Sequence, residues 1–102
     1  MYLKYVKALE SLRTTGFCKL KVHGQSMMPR IHSGSTLTFQ KFDSYEINDV
    51  VLCRVKGRWI DAHLITQKDD KGRYLISNNH GHDNGWTSLV YGKVVAIEPP
   101  KN

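Results

Sequence analysis

Long apolar runs are missing from this 102-residue chain. No stretch approaches the roughly 20 consecutive apolar residues that a membrane-crossing helix needs. The N-terminus has neither the apolar core nor the small-residue cleavage site of a secretory leader. We therefore expect no transmembrane anchor and a cytoplasmic location. Cysteine is scarce: Cys18 and Cys53 are the only two, too few for a disulfide framework in a domain of this size. Both sit in apolar-alternating segments and read as small core residues. Neither Cys-x-x-Cys nor His-Glu-x-x-His spacing occurs, so the usual zinc patterns are absent. Acidic residues are outnumbered, nine against 15 Lys and Arg, for a net charge of +6. That balance favours anionic neighbours such as nucleic acid, an acidic protein or a membrane surface. The basic residues are scattered, however, and form no phosphate-tracking stripe. Hydrophobic residues at 40% and charged residues at 24% match an ordinary soluble globular chain and argue against disorder.

What is present fits one domain spanning residues 1–102, large enough to bury a core without metal or disulfide staples. A helix is expected over residues 2–14, where Tyr2, Tyr5, Val6, Leu9 and Leu12 recur at helical spacing and Lys4, Lys7, Glu10 and Arg13 take the other side. Gly16 marks its end. From there the period changes to two, over a β core at residues 17–98. Cys18, Leu20 and Val22 alternate with Lys19, Lys21 and His23. Thr36 to Gln40 alternates again, and Val50 to Val55 is a more continuous apolar run that takes in Arg54. Lys56-Gly57 turns that run into Arg58 to Gln67, a hairpin. Asp69 to Gly72 turns into Arg73 to Ile76. Residues 77–85 read as a long polar loop, and Leu89 to Ile97 as a last strand broken by Gly92. Short strands joined by tight turns predict a mainly β fold, a partly closed, barrel-like sheet with a short N-terminal helix.

The chemistry concentrates in Gly24-Gln25-Ser26-Met27-Met28-Pro29. A serine in a Gly/Pro-punctuated turn is a nucleophile once a neighbouring base takes its proton. Gly24 permits a positive φ or close backbone approach, and Pro29 fixes the exit. The backbone amides of Ser26, Met27 and Met28 are candidate oxyanion donors. Gly24, Met27 and Met28 are candidate substrate contacts, the methionines being apolar and adaptable. His63, in the strand Trp59 to Ile65, is the candidate base, sharing a face with Asp61 and Ile65. Asp83 is the candidate carboxylate to orient it. The order Ser, His, Asp is no obstacle, because unrelated folds carry triads in different orders.

Each residue alone has a plainer reading. Ser26 is a turn serine, His63 a strand histidine, and Asp83-Asn84-Gly85 a turn. His80-Gly81-His82, with His23, His32 and the cysteines, makes a weak metal pattern, and we expect no metal and no cofactor. Trp59 and Trp86 could stack single-stranded nucleic acid, but core or cleft-lining roles fit them better.

Taken together and in order, these residues resemble the signal peptidase and LexA-type serine peptidases. Gly24 to Ile31, followed by Gly34, is similar to the nucleophile box. Asp49-Val50-Val51 with His63 is similar to the next, which supplies lysine in the bacterial signal peptidases and LexA proteins and histidine in the endoplasmic-reticulum and archaeal type. Asn78-Asn79 with Asp83 resembles the third box, and Tyr91 to Val95 the closing strand. The resemblance implies an all-β peptidase with Ser26 as nucleophile, His63 as general base and Asp83 as orienting acid, acting on a protein or peptide presented as an extended strand. The chain departs from the family at three supporting positions: Ser35 stands for the usual acid, Leu64 for an arginine, and Ile76-Ser77 for Gly-Asp. It also lacks the Ala-Gly or Cys-Gly dipeptide at which LexA-type chains cut themselves, so self-cleavage is not expected. The alternative expectation is a catalytically silent module that keeps the fold and binds a protein partner or an anionic ligand.

Overall fold

In the computed structural model, which describes residues 3–101, helix α1 (Leu3–Thr15) precedes seven strands. These are β1 (Phe17–Lys21), β2 (Thr36–Gln40), β3 (Val50–Val55), β4 (Arg58–Lys68), β5 (Tyr74–Ser77), β6 (Asp83–Thr87) and β7 (Val90–Glu98). The mainly β architecture with a short helix in front is the one expected.

Along α1 the buried stripe runs through Ala8 and Leu12, with Tyr5 and Leu9 partly covered. Val6, expected on that stripe, is 59% exposed. It sits one residue past Tyr5, about 100° round the helix, and so faces away from the sheet. Tyr2 lies outside the described residues. The helix stops at Gly16, whose amide closes onto the Leu12 carbonyl at 2.9 Å. Among the described residues no helix is long and apolar enough to cross a membrane.

The seven strands form one antiparallel sheet in the order β1-β2-β7-β3-β4-β5-β6. The last strand thus lies in the middle, between β2 and β3. Bulges interrupt the pairing: between Ile60 and His63 and at Thr66 on β4, at Asn84 on β6, and at Tyr91 and Val95 on β7. Each extra residue bends and twists its strand. The β3–β6 half therefore curls until its end returns to its beginning. Thr87 Oγ1 donates to the Arg54 carbonyl at 2.5 Å, and the Arg54 amide donates to the Leu89 carbonyl at 3.0 Å.

The curl divides the buried side chains into two clusters. One lies under α1 and includes Leu12, Cys18, Leu37, Phe39, Leu52, Ala62 and Leu64. The other fills the curl, with Val51, Cys53, Val55, Ile65, Tyr74 and Ile76. Burying one such aliphatic or aromatic side chain contributes about 1.5–3 kcal/mol. Both cysteines are buried and unpaired, one in each cluster. Burial pushes the Cys18 thiol up to about 11 and that of Cys53 up to about 12.

Two expectations about the strands change. The polar segment at residues 77–85 is not all loop, because β6 begins at Asp83. Gly92 does not break β7. A Cβ there would lie 3.2 Å from the Gln40 carbonyl oxygen and 3.3 Å from Leu12 Cδ2, so glycine lets the helix settle on an unbroken strand.

Candidate active site

The loop at residues 22–35 carries Ser26 between β1 and β2. Its base is closed by two backbone bonds, Val22 N–H to the Ser35 carbonyl at 2.9 Å and Gly34 N–H to the Val22 carbonyl at 2.7 Å. Ser35, where the family usually has an acid, is 1% exposed and structural. Gly24 has φ +105° with open space where a Cβ would be, so its backbone angle, not close packing, requires glycine. Met27 is buried in the cluster under α1, anchoring the turn from below. Ser26 itself is exposed at the surface.

Strand β4 brings His63 to this serine. His63 Nε2 lies 3.0 Å from Ser26 Oγ, and His63 Nδ1 lies 2.8 Å from Asn84 Oδ1. With an amide oxygen facing it, Nδ1 holds the ring proton. Nε2 then presents its lone pair to the serine hydroxyl, which donates to it. Burial holds the His63 pKa below the ordinary imidazole value; the Asn84 bond opposes this, His82 adds to it, and the Asp61 charge opposes it. The ring is therefore neutral at pH 7, the state a general base requires.

Asp83, expected to orient His63, is engaged elsewhere. Its carboxylate accepts the Ser77 hydroxyl at 2.6 Å, and Ser77 Oγ lies 3.0 Å from Thr66 Oγ1. The β6 bulge is the physical reason. Asp83 pairs with Ser77 and Gly85 with Ile76, which leaves Asn84 as the unpaired extra residue. Gly85 takes φ +135° and passes close to Val55. Asn84 is thus the group that faces His63, and the sequence offered only a turn-like Asp-Asn-Gly as its signal.

Asp61 lies within a bulge of β4. The bulge between Ile60 and His63 turns its carboxylate to the helix, where it accepts Tyr5 Oη–H at 2.5 Å and Lys4 Nζ–H at 2.8 Å. Leu64, standing for an arginine, is buried under α1.

Beside Ser26 and His63 opens a cleft of about 290 Å³, walled by Tyr5, Val22, Met27, Ile31 and Trp59, with Asp61 in its lining. Tyr5 and Trp59 stack with ring centroids 4.4 Å apart, and Tyr91 packs against Trp59 at 5.4 Å. Gly24 and Met27 line this cleft, whereas Met28 is not in its wall. The Met28 amide is also occupied, donating to the Gln25 carbonyl at 3.1 Å. Among the described residues the Ser26 and Met27 amides have no internal acceptor. Of the three amides expected as oxyanion donors, only that of Met28 is thus taken up within the turn.

Among the described residues no three of His, Cys, Asp and Glu gather as metal ligands would. His80 is turned to the Gln25 carbonyl at 3.0 Å. Trp59 lines the cleft, and Trp86, 40% exposed, lies under the Arg73 guanidinium at 5.9 Å.

A comparison with curated proteins finds no significant match. The profile of the family described as Peptidase S24-like matches residues 2–95, a span running from α1 into β7 and including the Ser26 loop, His63 and Asn84. By that match, the chain belongs to the Peptidase S24-like family.

Proposed function

We propose that this protein is a serine endopeptidase acting on an extended protein or peptide segment laid into the cleft beside Ser26. The observation that carries the reading is the Ser26–His63–Asn84 chain of hydrogen bonds, 3.0 Å and 2.8 Å long. Ser26 Oγ bonds to the scissile carbonyl carbon as its proton passes to His63 Nε2. The carbonyl oxygen, now negative, sits against the Ser26 and Met27 amides. The C–N bond then breaks, and the amine leaves with the proton from His63. Water, deprotonated by the same nitrogen, hydrolyses the ester and restores the serine. Asn84 holds the ring and its tautomer throughout; a neutral amide serves the same purpose in Cys-His-Asn peptidases.

The test is cleavage of a peptide library by the wild type, Ser26→Ala and His63→Ala. Each variant is expected to lose at least about 10³-fold in kcat/KM. Equal cleavage by Ser26→Ala overturns the proposal.

One observation favours a second reading, a silent module that captures a partner without cutting it. No carboxylate stands on His63 Nδ1, so an imidazolium formed there has no charge facing it directly. Under this reading Ser26→Ala retains a partner as well as the wild type does, and neither yields a shortened product. Salt-sensitive capture would trace to the +6 charge, salt-insensitive capture to the cleft.

A further inference from the structure

The segment between β5 and β6 grips the Ser26 loop through three hydrogen bonds. The Asn79 amide donates to the Ser26 carbonyl at 2.9 Å, and Asn79 Nδ2 donates to the Met28 carbonyl at 3.1 Å. His80 Nε2 donates to the Gln25 carbonyl at 3.0 Å. The segment itself is braced by Asn78, whose Oδ1 accepts the His80 amide at 2.8 Å and the His82 amide at 3.0 Å.

Which carbonyls are gripped is the informative part. A trans peptide unit is planar, so its C=O and N–H point in opposite directions. The Gln25 carbonyl shares a unit with the Ser26 N–H, and the Ser26 carbonyl shares one with the Met27 N–H. Holding those two oxygens sets the direction of the two amides left without an internal acceptor. A donor on the carbonyl also polarises the unit and makes its N–H a stronger donor. The Gln25 carbonyl has a second donor, the Met28 amide at 3.1 Å, but that bond lies within the turn and moves with it. His80 ties the unit to a different part of the sheet.

We infer that His80 is a positioning residue: through the Gln25 carbonyl it aims the Ser26 amide at the oxyanion, while the Asn79 amide does the same for Met27. This rests on the peptidase reading of the same site. His80 contacts no reacting atom, so its loss should weaken transition-state binding and leave substrate binding nearly as it was.

The experiment compares the wild type, His80→Ala and His80→Gln, the last keeping an N–H donor able to reach the Gln25 carbonyl. On the best-cleaved library peptide, His80→Ala is expected to lower kcat about tenfold to a hundredfold with KM within about twofold. His80→Gln should recover most of the loss. In ¹H–¹⁵N spectra of the substrate-free proteins, the Ser26 amide peak should shift and broaden in His80→Ala and return in His80→Gln. His80 is exposed, and thermal unfolding of each variant checks that the fold survives. An unchanged kcat, a change confined to KM, or a His80→Gln variant as slow as His80→Ala overturns the inference. If the wild type cleaves no peptide, the peptidase reading falls by itself. The Ser26 amide peak then decides the clamp: displacement in His80→Ala supports it, and an unmoved peak overturns it.

Discussion

Replacing Asn84 with aspartate tests the site most directly, because it puts a charge where the structure has a neutral acceptor. Asn84 Oδ1 lies 2.8 Å from His63 Nδ1. A carboxylate there would sit about 4 Å from the centre of an imidazolium charge, an attraction of about 4 kcal/mol at an effective dielectric of about 20. At 1.36 kcal/mol per pH unit that is about three units. Ionising a new carboxylate in a half-buried position next to Asp83 removes part of the gain, leaving a rise of about one to two pH units. The His63 midpoint, held below the ordinary imidazole value in the wild type, should therefore rise. Asn84→Leu should move it the other way, since the Asn84 bond is among the influences holding the midpoint up. The His63 ring-proton resonance, followed against pH, reads both shifts without needing a substrate. The acid limb of kcat/KM should follow the same order. A His63 midpoint unmoved by Asn84→Asp would mean that this residue does not face the imidazole, and the orienting role assigned to it would be wrong.

The same titration fixes the sign of a stability effect. A folded-state pKa below the unfolded value means the unfolded chain binds more protons in between, so this contribution is full above pH 6.5, the ordinary value, and is lost as pH falls through the folded midpoint. Urea unfolding of wild type and His63→Gln across that window should show the slope in the wild type and its removal in the variant. Gly92→Ala should destabilise by about 1–3 kcal/mol through overpacking, because the added methyl meets the Gln40 backbone oxygen as well as Leu12 and Phe39; urea midpoints measure it. Tyr5→Phe removes a hydrogen bond to the part-buried Asp61 carboxylate and should cost about 1.5–3 kcal/mol. Lys4→Ala, which removes the more exposed partner of the same carboxylate, should cost no more than about 1 kcal/mol. Thermal melts that rank these two the other way would contradict the part-buried Tyr5–Asp61 bond being the stronger of the two.

Most of the fold was legible because its periodicities are local. Cys18-Lys19-Leu20-Lys21 alternates, and β1 buries Cys18 and Leu20 while exposing their neighbours. The continuous run Val50 to Val55 became a strand with material on both faces, Leu52 packing under α1 and Val51 and Cys53 inside the curl. The errors fall where the period gives way to tertiary contact. Val6 carries the right residue type for the buried stripe, yet the sheet reaches only the arc from Ala8 to Leu9. Gly92 reads as a breaker in isolation. It is permitted within β7 because the room it leaves is filled by Leu12 of a helix eighty residues earlier.

The site was legible to the same depth. Ser26 stands out because Gly24 and Pro29 punctuate its turn, and His63 because it lies in a mostly apolar strand. The third partner is set by register, and register is not local. A bulge on β6 depends on how Ser77 and Ile76 meet the returning strand and on Gly85 fitting against Val55. Moving the pairing by one residue exchanges Asp83 for Asn84 before the imidazole. Chemistry favours the carboxylate in that exchange and geometry favours the amide. Geometry prevails because Asp83 is already committed to the Ser77 hydroxyl, itself beside Thr66 at the second bulge of β4. Ser77, where the family usually has an acid, is thus part of what places the amide before the ring. A substitution that weakened the Ser77–Asp83 bond would be felt at His63 without touching it.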